Sequence, residues 1–84
     1  MEEKLIGKIT HYFSKIQVAI IELAAELKKG DKVHIMGKNT DFEQEVSSMQ
    51  IDRVDVEKAK KGDAIGLKVD QKVREGDEVY LILS

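Results

Sequence analysis

The residues that could carry chemistry are few. His11 and His34 are the only histidines in these 84 residues, and there is no cysteine. No carboxylate stands at a metal-ligand spacing from either histidine, so no metal centre is predicted. Ser14, Ser47, Ser48 and Ser84 have no neighbouring base and orienting acid to activate a hydroxyl. Most carboxylates alternate with lysines in runs that read as solvated faces. No Gly-x-x-x-x-Gly-Lys-(Ser/Thr) loop is present to cradle a phosphate, so direct nucleotide binding is not expected. The reading is a non-catalytic chain with no cofactor. The cationic residues remain. Lys28, Lys29, Lys58, Lys60 and Lys61 could form a basic rim if the turns that carry them share one end of the molecule. A cationic groove with aromatic platforms is how small β-domains hold single-stranded nucleic acid, and Tyr12, Phe13, Phe42 and Tyr80 are the only aromatics available.

Those lysines sit in a phrase that occurs three times: Leu27-Lys28-Lys29-Gly30-Asp31-Lys32-Val33, Ala59-Lys60-Lys61-Gly62-Asp63-Ala64-Ile65 and Val73-Arg74-Glu75-Gly76-Asp77-Glu78-Val79. Glycine reaches positive φ without a Cβ clash, and aspartate bonds nearby backbone N–H groups. A β-branched residue then opens an extended run. Each phrase predicts a tight turn feeding a strand. Around them, Lys4 to Phe13 reads as a first strand and Lys32 to Met36 as another. Gly37-Lys38-Asn39-Thr40-Asp41 sets up a hairpin. Phe42, Gln44 and Val46 alternate with Glu43 and Glu45, the period of a half-buried strand. The phase slips before Met49 and Ile51, which predicts a bulge or sharp bend at Ser47-Ser48. The last strands are Ala64 to Val69 and Glu78 to Leu83.

Ser14 to Lys29 admits two readings. Ser14 as N-cap, Gln17 at the capping-box position and Ile16, Ile20, Leu23, Ala24 and Leu27 at helical spacing describe a helix stopped by Gly30. Val18, Ile20 and Ile21 favour a strand. Pattern alone leaves both open. The expected core is Ile9, Val18, Ile20, Val33, Ile35, Met49, Ile51, Ile65, Leu67, Val79, Leu81 and Leu83.

Composition bounds the partners. Charged residues make up 36% of the chain but nearly cancel, to −2, which is not the balance of a strongly basic nucleic-acid module. Arg53 and Arg74 are the only arginines, which weakens bidentate phosphate recognition. Abundant Lys and Glu with no cysteine and a single asparagine, Asn39, is the composition of thermophile proteins. The start, Met1-Glu2-Glu3-Lys4, leads into no long apolar run, so neither signal peptide nor membrane span is expected and the cytoplasm is the default.

The phrases and their flanks resemble the second domain of translational GTPases such as elongation factor Tu. Val46-Ser47-Ser48-Met49-Gln50-Ile51 followed by Val56 to Leu67 is similar to that domain's strand, charged connector, Ala-x-x-Gly-(Asp/Glu)-x-Val-Gly turn and next strand. Leu27 to Ile35 matches its Ile-Lys-x-Gly-Asp-x-Val-x-Ile entry to a strand, and Val73 to Asp77 its closing turn. The likeness runs over nearly all of residues 1–84. It implies an all-β fold, a single small antiparallel β-barrel of about six strands, with Ile16 to Leu23 extended. It also implies a binding module that contacts structured RNA or the ribosome (tRNA or rRNA), through Lys28, Lys29, Lys58, Lys60, Lys61, Tyr12, Gln50 and Lys68. Gln50 replaces the family's pocket glutamate, Thr10 and His11 its acidic pair, Ala64 an asparagine and Lys68 an apolar residue; these departures count against an aminoacyl-tRNA pocket. Similar barrels are also appendages of larger enzymes, including collagenase-like peptidases. The alternative is therefore a protein-interaction adaptor, docking to a larger peptidase-like or RNA-modifying enzyme or to itself.

Overall fold

A computed structural model describes residues 2–83, so Met1 and Ser84 lie outside it. Among the described residues there are ten strands and no helix. In chain order these are β1 (Glu2–Phe13), β2 (Val18–Leu23), β3 (Leu27–Lys28), β4 (Lys32–Gly37), β5 (Thr40–Glu45), β6 (Met49–Ile51), β7 (Val54–Val56), β8 (Lys58–Ala59), β9 (Ala64–Lys68) and β10 (Glu78–Leu83). Eight form one antiparallel sheet in the order β5-β4-β10-β1-β2-β9-β6-β7, while β3 and β8 pair as a separate ribbon.

The all-β class agrees with expectation, and so does the extended state of Val18–Leu23, although Ile16 and Gln17 belong to the turn before it; the barrel does not. The large sheet ends at two edge strands, β5 and β7, and does not pair on itself. The count of about six strands fails because β3, β7 and β8 are two or three residues long, too short for any periodicity to register. At the β5 edge other groups take the place of a neighbouring strand. Gln44, buried to 6% exposure, donates Nε2 to the Lys68 carbonyl (2.9 Å), and its Oε1 accepts from the Asp70 N–H (2.8 Å).

The three repeated phrases form one and the same device. Asp31, Asp63 and Asp77 each donate their N–H to the carbonyl three residues back, and Gly30, Gly62 and Gly76 hold φ of 95°, 94° and 92°. This is a type II turn, which demands positive φ at its third residue. The aspartate Oδ2 accepts from the N–H three residues back, at 3.0, 3.0 and 2.9 Å. Each turn then clips onto a single residue elsewhere: Val46 for the first, Leu23 for the second and Ile9 for the third. That residue's carbonyl accepts from the glycine N–H, and its N–H donates to the aspartate carbonyl. All three clipped residues are buried.

The phase slip at Ser47-Ser48 marks the place where the chain leaves β4 and crosses to β9. It is a break between β5 and β6, not a bulge within one strand. Val54 does not continue β6. The chain reverses at Asp52 and Arg53, both at positive φ (53° and 66°), the conformation of the two-residue hairpin turn.

The core joins Ile6, Ile9, Ile21, Leu27, Val33, Ile35, Val46, Met49, Ile65, Leu67, Val69, Val73 and Val79, all at most 1% exposed. Seven of the twelve expected core residues are buried: Ile9, Val33, Ile35, Met49, Ile65, Leu67 and Val79. In β2 the expected phase is inverted, because Ala19, Ile21 and Leu23 point inward and leave Val18 and Ile20 half-buried on the outer face. Val18 and Ile20 share their face with Glu22, which turns that face outward. Leu83 is 39% exposed, and Ile51 and Leu81 only partly covered.

Candidate functional site

The inverted phase of β2 lines an apolar depression on the surface. Outward positions on β9 are Ala64 and Gly66, small residues that leave a trough; a Cβ at Gly66 would touch Val18 Cγ1 at 3.3 Å. Phe13, Ile16, Val18 and Ile20 wall one side, and Gln50, Asp52 and Arg53 the other, enclosing about 460 Å³. Phe13 and Ile16 are 44% and 61% exposed, a costly display for a small domain. Gln50 stands in this trough with Nε2 donating to Asp55 Oδ1 at 2.9 Å. Lys68 lies exposed at the end of β9, opposite Val18. Tyr12 is half-buried against the core, which uses much of its ring for packing.

The five lysines do come together. Lys28 and Lys58 are direct cross-strand partners in the β3–β8 ribbon, and Lys29, Lys60 and Lys61 occupy the adjoining turns. Acidic residues interleave with them. Lys28 Nζ lies 3.6 Å from Glu26, and Glu57, Asp31 and Asp63 belong to the same segments. The result is a mixed-charge ribbon.

A third arrangement was not legible from spacing. On β4, His34 stands directly opposite Tyr80 of β10 on one side and Glu43 of β5 on the other. Its Nδ1 lies 2.9 Å from Glu3 Oε2, and its Nε2 contacts Asp41 Oδ1. Carboxylates on both nitrogens favour the imidazolium, and the histidine pKa is raised. The Asp41 hydrogen bond is the chief cause; burial opposes it, and Glu3 adds to it. The Tyr80 hydroxyl donates to Glu78 Oε1 at 3.2 Å, a bond that holds the phenol neutral and raises its pKa. The available signal was the hairpin. With Lys38-Asn39 as a two-residue turn, Gly37 pairs with Thr40 and His34 must pair with Glu43. His11, on β1, instead meets Glu75 of the third turn at 3.2 Å and stacks edge-on against Phe13, centroids 4.4 Å apart.

No family model matches the chain. It is 50% identical over 78 residues to an uncharacterized protease of Methanocaldococcus jannaschii, covering 92% of this chain and 19% of that protein. It is 37% identical over 81 residues to a collagenase of Porphyromonas gingivalis, covering 94% of this chain and 22% of the collagenase. The chain thus spans about a fifth of the length of the curated relatives it matches. In fold it is similar to the C-terminal domain of a U32 peptidase of Geobacillus thermoleovorans: one crystal structure gives a TM-score of 0.89 at 14% identity, covering 95% of this chain and 93% of that one. The selenomethionine variant gives 0.86 at 15%, covering 90% and 96%. These findings overturn the likeness to translation factors, and with it a role at the ribosome or on RNA. Turn phrases of apolar-Lys-x-Gly-Asp-x-Val type are dictated by turn geometry, so unrelated small β-folds that use the same turn share them. Among the described residues no helix is long and apolar enough to cross a membrane. The chain is similar over nearly its whole length to one segment of proteases and collagenases, and it has the fold of a U32 peptidase C-terminal domain.

Proposed function

We propose that this chain is a non-catalytic docking domain that packs against a peptidase body through the trough between β1–β2 and β6–β9. The observation that carries this reading is the match at 50% identity between 92% of the chain and only a fifth of a protease, whose remaining four-fifths supply the partner. The apolar trough supports it, because Phe13 and Ile16 gain by being covered. Both histidines are engaged by carboxylates rather than hydroxyls, which favours positioning over catalysis.

The test mixes this chain with the Methanocaldococcus protease from which the matching segment has been removed, and follows association by calorimetry and size-exclusion chromatography. A one-to-one complex is expected. Phe13→Ser with Ile16→Ser should weaken it at least tenfold, since central apolar anchors each contribute upwards of about 1 kcal/mol. Absence of a complex, a complex indifferent to those substitutions, or peptide hydrolysis by the chain alone would each sink the reading.

A further inference from the structure

We infer that Glu3, His34 and Glu43 form a binding site for a divalent transition-metal ion, of the zinc or manganese type, which ties β1, β4 and β5 together across β10. The three donors come from three strands of the large sheet, and one ligand atom from each lies within 4.8 Å of the other two. A tetrahedral ion about 2.1 Å from each donor sets them about 3.4 Å apart, within reach of small side-chain rotations. An imidazole with two carboxylates is a mixed nitrogen and oxygen set, which suits zinc or manganese better than magnesium or calcium.

Three features make this more than a group of surface acids. The central donor is a histidine whose side chain is only 14% exposed. Its other ring nitrogen faces Asp41, the carboxylate placement that fixes the ring orientation of a metal-bound histidine and directs Nδ1 at Glu3, where the ion would sit between them. The charge is also unbalanced: Glu3, Asp41 and Glu43 surround one imidazole, and among the described residues no lysine or arginine forms an ion pair with any of them. A cation is the missing counter-charge. Its place on the sheet gives it a task as well. β5 is an edge strand, Glu3 lies in the first turn of pairing of β1, and no disulfide staples this small core.

Glu3, His34 and Glu43 are not among the residues that line the docking trough, so the site stands or falls separately from the docking reading. Tag-free chain, stripped with chelator, is titrated with zinc chloride and then manganese chloride at pH 7.5 by calorimetry, with the histidine ring resonances followed by NMR. One ion per chain is expected, with the His34 resonances shifting and those of His11 unmoved. Saturation at about a hundredfold excess over Kd should raise Tm by about 10 °C. Glu43→Gln and His34→Ala should each weaken binding tenfold or more. Glu43 makes no hydrogen bond to His34, so a plain histidine–carboxylate ion pair would leave Glu43→Gln silent. No binding of either ion up to millimolar concentration, or binding unchanged in both variants, overturns the site. If His34→Ala fails to fold, the exposed Glu43→Gln decides alone.

Discussion

The first two Gly-Asp turns and the third are built alike and placed differently. In each, glycine sits at a φ between 92° and 95°, the aspartate caps the N–H three residues back, and the turn clips onto one buried residue elsewhere in the chain. The first two share a ribbon, since Leu27 pairs with Ala59, and their aspartates are half-buried at the surface. The third has no partner turn. Its Asp77 is 5% exposed and lies against Gly37 at the end of β4. The same seven-residue phrase therefore yields two solvated clips and one core element. A motif fixes local hydrogen bonds; its energetic weight comes from what packs over it.

The largest expected effect comes from closing the space that distinguishes the third turn. A methyl group at Gly37 would overlap the Asp77 carboxylate, so Gly37→Ala should cost about 3 kcal/mol, read as a fall in the midpoint of urea unfolding. The double variant Gly37→Ala with Asp77→Ala should cost less than the sum of the two singles, because the new methyl occupies space the carboxylate has left. Additive costs would show that the two residues do not press on each other.

Next in size is the contrast among the aspartates. Asp77→Ala leaves the Arg74 N–H without its acceptor in a part-buried place and should cost about 2 kcal/mol. Asp31→Ala and Asp63→Ala make the same local change where water can substitute, and should cost about 1 kcal/mol or less each. Equal losses in all three would dissolve the distinction between the turns.

This contrast also marks how far the sequence could be read. The tight turns, the strands that follow each of them and the all-β class were legible, because Gly-Asp followed by a β-branched residue leaves few backbone solutions. The phase of β2 was signalled only by Glu22, which shares a face with Val18 and Ile20, because Val18-Ala19-Ile20-Ile21 offers apolar residues to both faces; the docking trough follows from that phase. The turn phrases also misled. They were read as a family's signature when they report a turn shared by many small β-folds. The His34 cluster draws Glu3 from β1 and Glu43 from β5, partners that only sheet order brings together. The lysine ribbon was half legible: shared turns predicted the gathering of Lys28, Lys29, Lys58, Lys60 and Lys61, while pairing alone showed how Glu26 and Glu57 interleave.

The smallest effects should be those on which the three turns agree. An added Cβ at Gly30, Gly62 or Gly76 meets nothing within 4 Å, so packing plays no part and only the positive φ resists substitution. Gly30→Ala, Gly62→Ala and Gly76→Ala should therefore cost the same, about 1 kcal/mol each, by the strain of a left-handed backbone. Three matched losses beside unmatched aspartate losses would locate the special character of the third turn in the Asp77 carboxylate. A markedly larger loss at Gly76 would move it into the backbone, where the N–H of Gly76 and the carbonyl of Asp77 grip Ile9 at 2.8 Å.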